Sequence, residues 1–156
     1  MGRRKKPRTK EHYYKSAKSH GYRARSAYKL RQIASKYNLL DGVSKAVELC
    51  SSPGGWTQVL LELSHTIQVI AVDLSPMAPL EGSLFIQGNI LDPDIHQKIM
   101  DTAGGPVDLV LSDCSPKVSG NWDLDVARQL ELAQCTLEIG LRLLRGNGKV
   151  LAKVFQ

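Results

Sequence analysis

The sequence lacks long apolar runs and any apolar segment near its start. No stretch of its 156 residues approaches the roughly 18 to 20 apolar residues that a membrane-spanning helix requires. The basic start MGRRKKPRTK is not followed by the apolar segment of a secretory signal. We therefore expect a cytoplasmic, or in a nucleated cell a nuclear, protein without a membrane span. We also expect a monomer.

Cysteine is scarce, and two common nucleotide-binding motifs are missing. Cys50, Cys114 and Cys135 are odd in number and have no CxxC spacing. This pattern argues against a disulfide framework and against a structural zinc site, so we expect reduced, partly buried thiols and no metal. The chain has neither a GxGxxG phosphate cradle nor a GxxxxGK[ST] loop, which leaves nucleotide triphosphate chemistry without support.

Positive charge is concentrated at the start of the chain. Residues 1–40 contain 13 Lys and Arg residues against one acid, whereas residues 41–156 contain 8 against 14 acids. This asymmetry indicates a polyanionic partner, because each neutralised phosphate releases counterions. The alternative is a solvated, disordered tail. We predict a basic N-terminal extension, residues 1–22, and one folded domain, residues 23–156.

Short β-rich apolar segments alternate with helical patterns from Lys45 onward, which predicts an α/β fold with a mostly parallel sheet and helices on both faces. The predicted strands are residues 45–50, 68–74, 83–88, 107–113 and 149–155. The predicted helices are residues 27–37, 56–64, 93–102 and 123–145. Steps of three and four on the last helix predict an apolar face on the sheet, formed by Val126, Leu130, Ala133, Leu137, Leu141 and Leu144.

The segment VELCSSPGGW lies at the first strand-to-helix turn, a position where open α/β sheets bind ligands. Gly54 and Gly55 allow the backbone to bend tightly and to approach a ligand closely. The alternative is a plain tight turn. Trp56 follows directly and could equally be a core residue.

Polar residues near the ends of the first three strands favour one cofactor. Asp73 suits the vicinal hydroxyls of an adenosine ribose, and Asn89 could form a hydrogen bond with adenine. Glu48 would stabilise a cationic ligand, although a surface carboxylate is the alternative there. An acid suited to ribose binding and a glycine turn without a pyrophosphate-binding motif fit S-adenosylmethionine, whose sulfonium and amino groups are cationic.

Two lysines and an aspartate form the candidate catalytic set. Lys153 lies in the apolar segment VLAKVF, where a lysine is costly unless it is paired or functional. Asp113 ends the fourth strand and could hold the lysine in position. Methyl transfer to a hydroxyl group would need a proton acceptor, for which we choose Lys153, while Lys29 could steer a phosphate or assist Lys153 and Asp113 electrostatically. A snorkelling edge-strand lysine and a solvated helix charge are the alternatives for Lys153 and Lys29.

The motifs together resemble the RrmJ/FtsJ family of ribose 2′-O-methyltransferases, from about Tyr13 to the end of the chain. The resemblance is carried in order by GYRARSAYKL, VELCSSPGGWTQ, VDLSPM, LSDCSPKVSG and VLAKVFQ. It implies a Rossmann-like fold, S-adenosylmethionine as cofactor, and catalytic roles for Lys29, Asp113 and Lys153, with Lys153 as proton acceptor. It also implies cofactor contacts at Gly54, Trp56, Asp73, Asn89 and Asp113.

The sequence departs from the family pattern at two points. Asn89 stands where the family usually has Asp, and the family's fourth catalytic residue, a Glu on a late strand, is expected beyond Gln156. A polypeptide that ended there would have weak or no activity. The resemblance implies a uridine of large-subunit (23S) ribosomal RNA as substrate, in an archaeal or eukaryotic type of member. The alternatives are tRNA methylation, a non-catalytic RNA-binding ribosome assembly factor and a small-molecule methyltransferase.

Overall fold

The computed structural model describes residues 21–155, which form five parallel strands and four helices. The elements are α1 (Ala27–Tyr37), β1 (Lys45–Leu49), α2 (Gly55–Leu63), β2 (Gln68–Asp73), β3 (Ser83–Gln87), α3 (Pro93–Ala103), β4 (Val107–Ser112), α4 (Trp122–Leu143) and β5 (Leu144–Ala152). The strand order is β3-β2-β1-β4-β5, and every neighbouring pair is parallel. The predicted α/β class is confirmed.

The central strand β1 divides the core into two halves, because successive side chains of a strand point to opposite faces of the sheet. Val47 packs in one apolar cluster with residues of α3 and α4, including Ile99 and Ile139. Ala46 packs in the other with Leu30 of α1 and residues of α2. Helices thus cover both faces of β1, which accounts for its continuous apolar sequence.

Local sequence signals set the helix ends on the α3 and α4 side. The Asp92 side chain accepts the Asp94 N–H at the start of α3, which then begins at Pro93 and ends before Gly104 in the left-handed region. Asn121 caps α4 by accepting the Leu124 N–H at 3.2 Å. Within residues 21–155, no helix combines the length and the apolar character needed to cross a membrane.

The predicted face of α4 is wrong. Leu130, Leu137 and Leu141 are exposed. The helix instead buries a mixed face, consisting of Asp125, Gln129, Ala133, Cys135, Thr136, Ile139, Gly140 and Leu143. Gln129 is buried on this face because it donates hydrogen bonds to backbone carbonyls beneath the helix. Gly140 allows the helix to lie close to β5, since a Cβ at this position would lie 3.1 Å from Val150 Cγ2.

Strand β5 begins earlier than predicted. Leu144 pairs with Val107, an irregularity in the register follows, and regular pairing resumes at Lys149, which lies opposite Leu109. The strand ends at Ala152, so that Lys153 follows the strand and is not part of it. The Lys153 N–H still bonds to the Ser112 carbonyl at 3.0 Å, which holds this residue at the carboxyl end of β4.

The expectation of reduced cysteines is wrong for two of the three. Cys50 and Cys114 form a disulfide, with Cα atoms 5.0 Å apart across a sequence separation of 64 residues. They meet because β1 and β4 are adjacent and in register, with Leu49 opposite Ser112. Cys135 is free and buried.

Candidate active site

The candidate site lies at the carboxyl edge of the sheet, between β1 and β4. The chain runs outward from β1 to β2 and β3 on one side, and to β4 and β5 on the other. The crevice at such a switch point is where open α/β sheets bind ligands. The loop after β1 and the loop after β4 face each other there and are joined by the Cys50–Cys114 disulfide.

The glycine turn after β1 is closely packed by the protein itself. Gly54 has a φ of 108°, and a Cβ there would lie 3.1 Å from Met77 Sδ. A Cβ at Gly55 would lie 2.9 Å from the Cβ of Ala24. Glycine is therefore required at both positions by backbone conformation or packing, in addition to any approach to a ligand.

Arg23 secures this turn, and sequence reasoning missed it. Its Nη1 donates to the Ala78 carbonyl at 2.6 Å and to the Pro53 carbonyl at 3.2 Å. Its backbone N–H donates to Gln58 Oε1 of α2 at 2.8 Å. The sequence alone places this arginine among the charges that could meet a polyanion, because no sequence pattern distinguishes a carbonyl-binding guanidinium from an exposed one.

Asp73 and Asn89 both lie near the carboxyl ends of strands at this edge, but at different distances from β1. Asp73 ends the neighbouring strand β2, and its carboxylate accepts the Ser52 N–H at 2.9 Å and the Ser75 N–H at 2.7 Å. It therefore orders the glycine turn. Asn89 lies farther out, after β3, where its Oδ1 accepts the Leu91 N–H at 3.0 Å. Its exposed amide nitrogen is the group that could donate to adenine.

Glu48 forms the floor of the crevice and is only 2% exposed. Thr57 Oγ1 donates to its Oε2 at 2.5 Å. Burial, with smaller contributions from the nearby charges of Asp113 and Asp73, raises the pKa of the Glu48 carboxyl to about 8, against the lowering effect of the Thr57 hydrogen bond. The surface position considered for Glu48 is therefore wrong.

Trp56 is a core residue in this structure. Its indole is buried, and its Nε1 donates to the Ser26 carbonyl at 3.0 Å, which joins α2 to the start of α1. Trp56 lies in the first turn of α2, where backbone N–H groups have no partner within the helix. A cofactor contact at this position would therefore use the backbone and not the ring.

Lys153 and Asp113 form an ion pair at the site. Lys153 Nζ lies 3.1 Å from Asp113 Oδ1 and donates to the Asp113 carbonyl at 3.3 Å. The buried Gln129 connects the loop after β4 with the segment after β5. Its Nε2 donates to the carbonyl of Cys114 at 3.1 Å and to that of Lys153 at 2.8 Å. Gln129 was missed because a glutamine within an amphipathic helix pattern reads as a surface residue.

Lys29 lines the same cleft as Lys153 of this ion pair. The N-terminal part of α1 places it beside Lys153 in a cleft of about 590 Å³, which is also lined by Trp122 and Phe155. The structure thus brings all three predicted catalytic residues to one place. Trp122 was not singled out from the sequence, although a tryptophan directly after the loop that follows the fourth strand was a usable signal.

Comparisons with known proteins show which family this chain is similar to. The family model of the FtsJ-like methyltransferases matches residues 22–156. A protein named ribosomal RNA large subunit methyltransferase E from Methanothrix thermoacetophila is 49% identical over 147 residues, which cover 94% of this chain and 57% of that protein. The protein of the same name from Methanothermobacter thermautotrophicus is 39% identical, with 100% and 76% covered.

A solved structure supports the same relationship. A protein described as a ribosomal RNA methyltransferase of Plasmodium falciparum superposes with a TM-score of 0.79 at 26% identity, covering 86% of this chain and 79% of the other. The chain spans little more than half of the Methanothrix relative and about three quarters of the Methanothermobacter relative. The match over nearly the whole chain establishes that this protein belongs to the FtsJ-like methyltransferase family.

Proposed function

We propose that this protein transfers a methyl group from S-adenosylmethionine to a ribose 2′-hydroxyl of RNA, and that its substrate is a uridine of 23S ribosomal RNA in the cytoplasm. The observation that carries the proposal is the Lys153–Asp113 ion pair, 3.1 Å long, in the same cleft as Lys29 and beside the crevice after β1. The names of the archaeal relatives favour ribosomal RNA over other substrates.

The crevice suits a cationic adenosyl cofactor. Asp73 and Asp113 are close enough to Glu48 to raise the pKa of its carboxyl group. A cation placed among the three groups would be stabilised by the charges of Asp73 and Asp113, and it would favour the ionised form of Glu48. The buried Ser51 Oγ has no hydrogen-bond partner among the described residues and could donate to a ligand. When bound, S-adenosylmethionine would supply the methyl group on its sulfonium.

Lys153, Asp113 and Lys29 have separate roles in the proposed reaction. Lys153 Nζ, once the ammonium of the ion pair has released a proton to solvent, accepts the proton that the 2′-hydroxyl loses as its oxygen is methylated. Asp113 Oδ1 holds Nζ in place and stabilises the ammonium that results. Lys29 attracts a phosphate of the same RNA segment and so helps to align the hydroxyl.

The test is transfer of labelled methyl from S-adenosylmethionine to total RNA by a polypeptide extended to include the family's late glutamate, followed by mapping of the methylated position. Lys153→Ala should lower kcat about a hundredfold or more, which is the usual contribution of a general base, and Asp113→Ala should also reduce transfer. Lys98→Ala, an exposed lysine on α3, is the control and should retain full activity.

The outcomes separate the proposal from its rivals. Normal methylation by both Lys153→Ala and Asp113→Ala would overturn the catalytic assignment. Label found on tRNA would replace the ribosomal substrate. RNA binding that is unaffected by Lys153→Ala, with no transfer under any condition, would indicate a non-catalytic RNA-binding factor.

A further inference from the structure

Trp122 occupies a fixed position at the rim of the catalytic cleft. It is the first residue of α4, directly after the capping residue Asn121. The loop before it is tied to the helix, because the Ser119 N–H and Oγ donate to the buried Asp125 carboxylate at 2.9 Å and 2.7 Å. The indole is therefore presented by an ordered helix start.

The Trp122 side chain is 59% exposed although it is large and apolar. Its ring lies beside that of Phe155, with centroids 6.2 Å apart and planes 14° from parallel. Val118 and Val154, which are also exposed, line the same cleft. An exposed apolar group of this kind at a charged cleft is typical of a surface that receives a ligand.

The cleft contains three kinds of side chain, and each kind suits one of the three parts of a nucleotide. Lys29 offers a cation for a phosphate, and Lys153 offers an amine for the ribose hydroxyl. Trp122 and Phe155 offer flat apolar surfaces, which is what a nucleobase requires for stacking. The two lysines and the two aromatic residues line one volume of about 590 Å³.

We propose that Trp122 is the platform on which a nucleobase of the RNA substrate stacks while the ribose of that nucleotide lies against Lys153. The inference rests on the proposed function for the identity of the substrate. Stacking tolerates any base, so Trp122 contributes affinity and alignment, and the identity of the target base is read elsewhere.

The test uses the full chain and two labelled probes, a ten-nucleotide oligouridylate and an abasic ribose-phosphate oligomer of the same length. Trp122→Ala should weaken oligouridylate binding about tenfold and leave binding of the abasic oligomer unchanged. Trp122→Phe should restore most of the loss. Lys29→Ala should weaken both probes by the same factor, because its contact is with phosphate.

Tyr37→Ala is the matched control, since it removes an exposed aromatic ring at the opposite end of α1 from Lys29. It should change neither affinity. Circular dichroism of each variant verifies the fold. In the methylation assay, Trp122→Ala should raise KM for RNA about tenfold with a smaller change in kcat.

The outcomes distinguish the platform from the reaction. Equal binding of both probes by the unmodified protein, or an unchanged oligouridylate affinity in Trp122→Ala, would overturn the platform even if RNA is methylated. Binding that depends on Trp122, without any methylation by a polypeptide extended to include the family's late glutamate, would support the platform and overturn the proposed function.

Discussion

Glu48 is the residue whose surroundings are most unusual for its type. A carboxyl group buried beneath a crevice, with two other carboxylates nearby, holds its proton far more tightly than one in water. Its pKa is about 8 in the folded chain, against 4.5 for the ordinary group. The folded protein therefore retains a proton at neutral pH that the unfolded chain releases.

Glu48→Gln should remove a pH dependence of stability. Between pH 4.5 and 8 the folded state binds one more proton than the unfolded state, so raising the pH lowers the free energy of unfolding, by up to about 1.4 kcal/mol per pH unit. Glutamine can still accept the Thr57 hydroxyl bond and has no proton to lose. Urea unfolding at several pH values across this window should show a flatter profile for the variant.

Glu81→Gln, at an exposed loop position, provides the comparison and should keep the original pH slope. An identical slope in Glu48→Gln and the unmodified protein would mean that Glu48 is ionised at neutral pH.

The residues at strand ends could be predicted from the sequence, whereas their partners could not. Asp113 and Asp73 follow apolar strands, and parallel strands bring their carboxyl ends to one edge. The Cys50–Cys114 disulfide depends on which strand lies beside β1, and alternation of strands and helices leaves the strand order open. The positions of Trp122 and Gln129 at the site depend on the path of the loop after β4, and no periodic pattern in the sequence predicts that path.

At the scale of the element, α4 shows that apolar spacing and burial can diverge. Its leucines recur at helical steps, but the side that meets the sheet also contacts the loops of the site. That side carries Gln129, which bonds to two loop carbonyls, and Gly140, which allows close approach to β5. Helix lengths and order were predictable from periodicity, but the orientation of α4 was set by these polar and steric contacts.

Two leucines near the end of α4 test this orientation. Leu143 is 5% exposed and Leu141 is 87% exposed. Leu143→Ala should lower the free energy of unfolding by about 2 to 5 kcal/mol, because it leaves a cavity in the core. Leu141→Ala should change it by no more than about 0.5 kcal/mol. Urea unfolding of both variants measures the difference, and equal losses would show that the predicted face of α4 is the packed one.

Across the whole molecule, charge separates the start of the chain from the rest. The first 20 residues contain eight Lys and Arg residues and lie outside the described residues, while residues 41–156 carry a net negative charge. A cleft in an acidic domain does not by itself attract RNA over long distances. We expect the basic start to supply that attraction through phosphate contacts, which are independent of sequence and sensitive to salt.

Replacement of Arg3, Arg4, Lys5 and Lys6 by Gln should therefore reduce the salt dependence of RNA binding. Each phosphate contact contributes roughly 0.7 to 0.9 to the slope of log affinity against log salt concentration, so four lost contacts should lower the slope by about 3. Titration of a ribosomal RNA fragment at several salt concentrations measures this slope. Lys98→Gln, a single exposed cation on α3, should change it by less than one unit. If the fourfold variant keeps the original slope, these four residues do not contact RNA phosphates, and the attraction must come from other cations, such as Lys29 and Lys153 of the cleft.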